Sequence, residues 1–220
     1  MARIARVVIP GLAHHVTQRG NGRQRTFHSA EDCLEYLHLL RRACAAQKVT
    51  CLAYCLMPNH VHLILEPATG DGLRRSLAVV HQRYAQRSNA RHGVTGHFWQ
   101  GRYGSVPMDD AHLYEALRYV LLNPVRASLA QTAAEWRWSS ARAYLTGADD
   151  GLTHPRRLLR MIGNVATYLG DEPNAQRVAG LRAASTIGRP VGSPEFVRRL
   201  EALTGRGLAP KGPGRPARRK

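Results

Sequence analysis

Cysteine is scarce in this 220-residue chain: four residues, Cys33, Cys44, Cys51 and Cys55, with no CxxC pair among them. That excludes a disulfide-stapled scaffold and a thiolate zinc site, and leaves reduced core thiols. Cys33 and Cys44 fall on an expected helix, and Cys51 and Cys55 on one face of an expected strand. No apolar run approaches the ~18 residues that a membrane span needs, and the N-terminus carries no apolar leader. A cytoplasmic, nucleoid-associated protein with no membrane partner is therefore expected. Acidic residues are few, 15 against 32 Lys+Arg, a formal net charge of +17. Lysine is rarer still, so the cations are arginines by 29 to 3. Such an excess is the electrostatic footprint of a polyanion partner, nucleic acid first. With 44% hydrophobic residues the chain has a packed core, and charge alone does not say what is done to the nucleic acid.

Periodicity orders the first two thirds of the chain. Residues 12–19 read as a strand stopped by Gly20-Asn21-Gly22. Ser29 then caps a helix to about Gln47, with Asp32 in the capping-box position. Val49 to Met57 is a buried strand, Pro58-Asn59 a turn, and His60 to Glu66 the second arm of a hairpin. A helix over residues 71–91 carries Leu73, Leu77, Val80 and Tyr84 on one stripe. An aromatic-bearing strand is expected over residues 97–107, then a helix capped by Asp109-Asp110 and stopped at Asn123 by Pro124. The order βαββαβ predicts an α+β, ferredoxin-like split βαβ fold: a four-stranded antiparallel sheet with two helices on one face. The added helix then covers the other face.

Three groups of residues carry candidate chemistry. In His60-Val61-His62, alternation puts both imidazoles on one face and Val61, Leu63 and Leu65 on the other. Two imidazoles about 7 Å apart on a strand hold a metal ion only with a third ligand from elsewhere in the fold. On the added helix, Leu113, Ala116, Leu117, Val120 and Leu121 form the core arc, and Tyr119 and Asn123 project together from its shoulder. A boundary aromatic and a helix-ending asparagine give the same pattern. The run from His97 to Tyr103 and Arg126 interleave aromatics with Arg and Gly, as a surface for stacked bases and phosphates does. Phe98 or Trp99 in such a run can equally belong to the core.

Together, Pro58-Asn59-His60-Val61-His62, Phe98-Trp99-Gln100-Gly101-Arg102-Tyr103 and the run from Tyr119 through Asn123-Pro124-Val125-Arg126-Ala127 resemble the REP-associated tyrosine transposases. These are relatives of the single-tyrosine HUH transposases of small insertion sequences. His14-Val16-Thr17, the run Arg19–Gln24 and Trp136-Trp138-Ser139-Ser140 add to the likeness, which spans about residues 9–146. The resemblance implies metal-dependent cleavage and rejoining of single-stranded DNA hairpins through a 5′-phosphotyrosine link, with a free 3′-OH. It makes Tyr119, rather than Tyr103, the nucleophile. It makes His60, His62 and Asn123 the ligands of Mg²⁺ or Mn²⁺, and it implies a monomer or homodimer. Arg19, Arg23, Trp99, Arg102 and Arg126 become the DNA contacts. A catalytically silent DNA-binding regulator of the same fold is the alternative.

The expected organisation is a transposase domain over 1–146, a helical extension over 147–204 and a disordered basic tail over 205–220. Short helices are expected at 155–162, 174–184 and 194–203. The tail holds six basic residues and no acidic one. Its Pro213-Gly-Arg-Pro run resembles an AT-hook, which makes Arg215 a minor-groove contact.

Overall fold

The computed structural model describes residues 4–171 and 173–209. Strands β1 (His14–Arg19), β2 (Val49–Met57), β3 (His60–Pro67) and β4 (Gly104–Pro107) form one antiparallel sheet in the order β2-β3-β1-β4. This is the ferredoxin-like arrangement that the element order predicts. Helices α1 (Ala30–Ala46) and α2 (Gly72–His92) cover one face. Their core includes Tyr36, Leu40, Leu73, Leu77, Val80 and Tyr84, packed on Val16, Val61, Leu63 and Leu65 of the strands. The capping box of α1 is formed on both sides: Ser29 Oγ accepts from the Asp32 N–H, and the Asp32 carboxylate accepts from the Ser29 N–H.

The opposite face carries α3 (Asp110–Leu121), capped by Asp109, whose Oδ1 accepts from the His112 N–H. Leu113, Ala116, Leu117, Val120 and Leu121 lie fully in the core, as their spacing requires. A short α4 (Asn123–Arg126) follows. Next, residues 136–140 run along the outer edge of β2: the Leu56 N–H donates to Trp138 O, the Ser140 N–H to Tyr54 O, and Trp136 Nε1 to Leu56 O. An edge strand is thereby paired instead of left open.

Helices α5 (Ala141–Thr146), α6 (Arg156–Ile162), α7 (Val165–Gly170) and α8 (Ala175–Ile187) share this second core with the sheet, through Tyr144, Leu158, Tyr168, Val178 and Leu181. The extension is thus built onto the sheet itself, with α8 packed on α3, β1 and β4. Helix α9 (Pro194–Thr204) packs Phe196 and Leu200 against Val7 and Leu208. Residues 205–209, expected within the disordered tail, are held here: Leu208 is buried and Arg206 donates to the carbonyls of Ala5 and Arg6. The rest of the tail, with Arg215, lies outside the described residues.

Two local expectations change. The strand expected over 97–107 is confined to its last four residues. Gly101, at φ +94°, breaks the extended path, and Phe98 and Trp99 turn into the α1/α2 core. In β2 the register shifts between Cys51 and Ala53, a bulge that inserts one residue. Cys51 therefore faces the α1/α2 core and Cys55 the opposite one, so the two do not share a face.

Candidate active site on the α3 face of the sheet

Adjacent strands bring the site together. His60 and His62 stand on β3 opposite Arg19 and Thr17 of β1, and His15 pairs with Ile64 two positions on. All the odd-numbered residues of β1 from His15 to Arg19 and the even-numbered residues of β3 from His60 to Ile64 share the α3 face. His14, which figured in the sequence pattern, points the other way and bonds to the Leu12 carbonyl; its neighbour His15 faces the site. Alternation combined with the β1–β3 pairing was the signal that could have found it.

The cleft so formed has a volume of about 460 Å³ and is lined by His15, Arg19, His60, His62, Arg102, Tyr119 and Arg182, among others. No carboxylate lines it, and three guanidinium groups do. Such a lining suits an anion of the phosphate type. Tyr119 projects from α3 with its ring perpendicular to that of His62, centroids 5.4 Å apart, and to that of His15 at 6.2 Å. Arg126 and Arg182 stand over the Tyr119 ring at 5.5 and 5.2 Å.

Burial pushes the His15 and His60 imidazoles down to about 4 from the usual 6.5, with Arg19 adding to the effect on His60. Burial drives His62 well below its usual range as well, helped by His15, His60, Arg19 and Arg182. All three rings are therefore neutral near pH 7, the form in which imidazole offers a lone pair. Asn59 sets which nitrogen carries it in His60. The Asn59 Nδ2 donates to Arg23 O at 3.1 Å, so its Oδ1 accepts from His60 Nδ1–H at 2.6 Å, and His60 Nε2 is left bare.

Other expected residues are placed differently. Trp99 is held away from the cleft: its Nε1 donates to His81 O, and its ring packs among Tyr84, Phe98 and His81. Tyr103 is buried on the α1/α2 side beneath Arg6, 3.7 Å from its ring. Arg23 lines a shallower depression beside His60 and Asn59. Asn123 does not line the cleft: α3 ends at Leu121, because Pro124 has no N–H to continue it, and Asn123 is buried with its Nδ2 unpartnered. Residues that the sequence did not single out, Arg182 and Ser185 of α8, line the cleft in its place. They lie on a helix far along the chain, where no local pattern announces a site.

Among the described residues, no cluster of three or more His, Cys, Asp or Glu is arranged to hold a metal ion. Of the neutral imidazoles that face the cleft, His60 and His62, with no carboxylate beside them, fit a divalent ion that takes further ligands from an amide, water or phosphate. Likewise among the described residues, no helix is long and apolar enough to cross a membrane.

Comparisons with known proteins agree with this architecture. A REP-associated tyrosine transposase of Haemophilus influenzae, so described, is 22% identical over 118 residues, 48% of this chain and 66% of that protein. A solved structure of a REP-associated tyrosine transposase bound to a REP hairpin superposes with a TM-score of 0.54 at 17% identity, over 70% of this chain and 92% of the other. That likeness is one of fold. Residues 9–122, just over half of the chain and all four strands, match the family described as Transposase IS200 like, and the chain belongs to that family.

Proposed function

We propose that this transposase cleaves and rejoins single-stranded DNA at a hairpin, with Tyr119 as the nucleophile and a divalent ion held by His60 and His62. The observation that carries the reading is the placement of Tyr119. Its ring stands against the His15 and His62 imidazoles, with Arg126 and Arg182 over it, in a pocket lined by guanidinium groups and no carboxylate. The phenolic oxygen bonds to phosphorus as the P–O3′ bond breaks; the phenol gives up its proton and the released 3′ oxygen takes one up. A 5′-phosphotyrosine results, and the bond energy kept in it lets the strand be rejoined without a nucleotide cofactor. Mg²⁺ or Mn²⁺ in this place supplies an electrophile for the phosphate oxygens, and Mn²⁺ is the better match to nitrogen donors. Asn123 is the candidate for a third protein ligand. Arg19, Arg102 and Arg182 hold the flanking phosphates.

The test is a single-stranded hairpin oligonucleotide incubated with wild type and Tyr119→Phe. Wild type forms a covalent adduct that survives a denaturing gel and maps to Tyr119. The phenylalanine variant folds and binds the hairpin but forms none. An adduct that persists in Tyr119→Phe, or that maps to Tyr103, overturns the assignment.

A further inference from the structure

Helix α8 does more than roof the cleft. Ser185 lies within hydrogen-bonding reach of His15, and His15 of His62. The donors and acceptors along this relay favour one set of proton positions. The Ser185 hydroxyl donates to the Leu181 carbonyl at 2.8 Å, the shorter of its two contacts, so its one proton lies on that side. Toward His15 Nδ1, 3.3 Å away, the same oxygen must accept, so His15 Nδ1 carries a hydrogen. A neutral His15 then has a bare Nε2, which lies 3.0 Å from His62 Nδ1 and must accept from it. The two rings are nearly coplanar, at 6°, with centroids 5.2 Å apart, so they meet edge to edge along that bond. His62, itself neutral, is left with its lone pair on Nε2.

We infer that Ser185 and His15 are positioning residues that lock His62 in the Nδ1–H tautomer, so that its Nε2 lone pair faces the cleft. This inference rests on the reading of His62 as a metal ligand, and it gives the C-terminal helical segment a place in the site. The result matches what Asn59 does for His60. Each imidazole is oriented by a relay that begins at a backbone carbonyl, Leu181 O for one and Arg23 O for the other. Imidazole ligands are commonly fixed through their second nitrogen, and loss of that partner weakens metal affinity roughly ten- to hundredfold. The His62 relay differs in its origin: its anchor is a helix more than a hundred residues downstream. Gly104 makes the approach possible, since a Cβ there would stand 2.8 Å from the Ser185 carbonyl oxygen.

The test uses the full chain, ¹⁵N-labelled at histidine and free of metal. Two-bond ¹H–¹⁵N correlations distinguish the tautomers of each ring directly, without activity as the readout. His62 is expected as Nδ1–H in wild type. In His15→Leu that tautomer gives way to a mixture, and Mn²⁺ affinity by calorimetry falls about tenfold or more. His15→Gln, whose amide oxygen can accept from His62 Nδ1–H, restores both. Ser185→Ala frees the His15 ring and yields a partial shift. A His62 found as Nε2–H in wild type overturns the inference, and so does a His15→Leu variant with unchanged His62 tautomer and unchanged Mn²⁺ binding. If wild type shows the expected tautomer but takes up no Mn²⁺, the relay stands and the metal reading falls.

Discussion

Gly104→Ala is the substitution that most directly probes how α8 is seated. Gly104 opens β4 opposite Thr17, and a Cβ built on it would lie 2.8 Å from both the Ser185 carbonyl oxygen and Thr17 Oγ1. The Thr17 side chain can rotate away; the backbone carbonyl of α8 cannot move without the helix. The backbone of Gly104 lies outside the left-handed region, so alanine gains there by restricting the unfolded chain, by about 0.4–1 kcal/mol. Forcing one extra carbon into a packed contact costs about 1–3 kcal/mol. The clash wins, and a net loss of about 1–2 kcal/mol is expected, a fall in Tm of roughly 2–8 °C for a chain of this size. Urea unfolding should show a lower midpoint with an unchanged slope, because the surface exposed on unfolding does not change. Adding Thr17→Ala should recover only part of the loss, since the carbonyl contact remains. A Gly104→Ala protein that unfolds at the wild-type midpoint would refute the close packing of α8 on β4, and with it the participation of Arg182 and Ser185 in the cleft.

Further outcomes follow from other contacts. Arg182→Gln should lower the slope of log affinity for a hairpin oligonucleotide against log salt by about one phosphate contact; an unchanged slope would place Arg182 off the DNA. Truncation after Ala209 should flatten that slope too, because residues 210–220 hold five basic groups and no acidic one, whereas a cut at Thr204 also removes the buried Leu208. His81, held at about 3 by burial and by Arg6, protonates first in the unfolded chain. Its share of stability is therefore complete above pH 6.5 and is lost as the pH falls toward 3, by up to several kcal/mol; in His81→Gln that segment of the acid profile should flatten. Asp32, buried at the start of α1, accepts from the His28 and Ser29 N–H groups and pairs with Arg91. Asp32→Ala should cost about 1–3 kcal/mol in chemical denaturation, and a loss under half of the lower figure would mean the capping box is dispensable.

The sequence by itself determined the elements whose information is local. The capping box at Ser29, the stripe of α2, the apolar arc of α3 and the alternation of β3 each depend on neighbours a few residues away. The βαββαβ order that follows admits the 2-3-1-4 sheet, and period two alone put His60 and His62 on one face. Tertiary structure decided what depends on distant partners. Pairing of β1 with β3 brought His15 to His62, although it lies more than forty residues earlier. A one-residue bulge turned Cys51 away from Cys55, a shift that strict alternation cannot express. Gly101 and the apolar core together drew Trp99 inward, where its indole N–H finds the His81 carbonyl instead of a base. Pro124, which has no N–H, ended α3 at Leu121 and left Asn123 to open a separate short helix. The α8 residues Arg182 and Ser185 arrive in the cleft only because a glycine on β4 lets a helix backbone come within van der Waals reach of the sheet. Close approach of that kind is a property of two surfaces in three dimensions, and neither surface carries a periodic trace of the other.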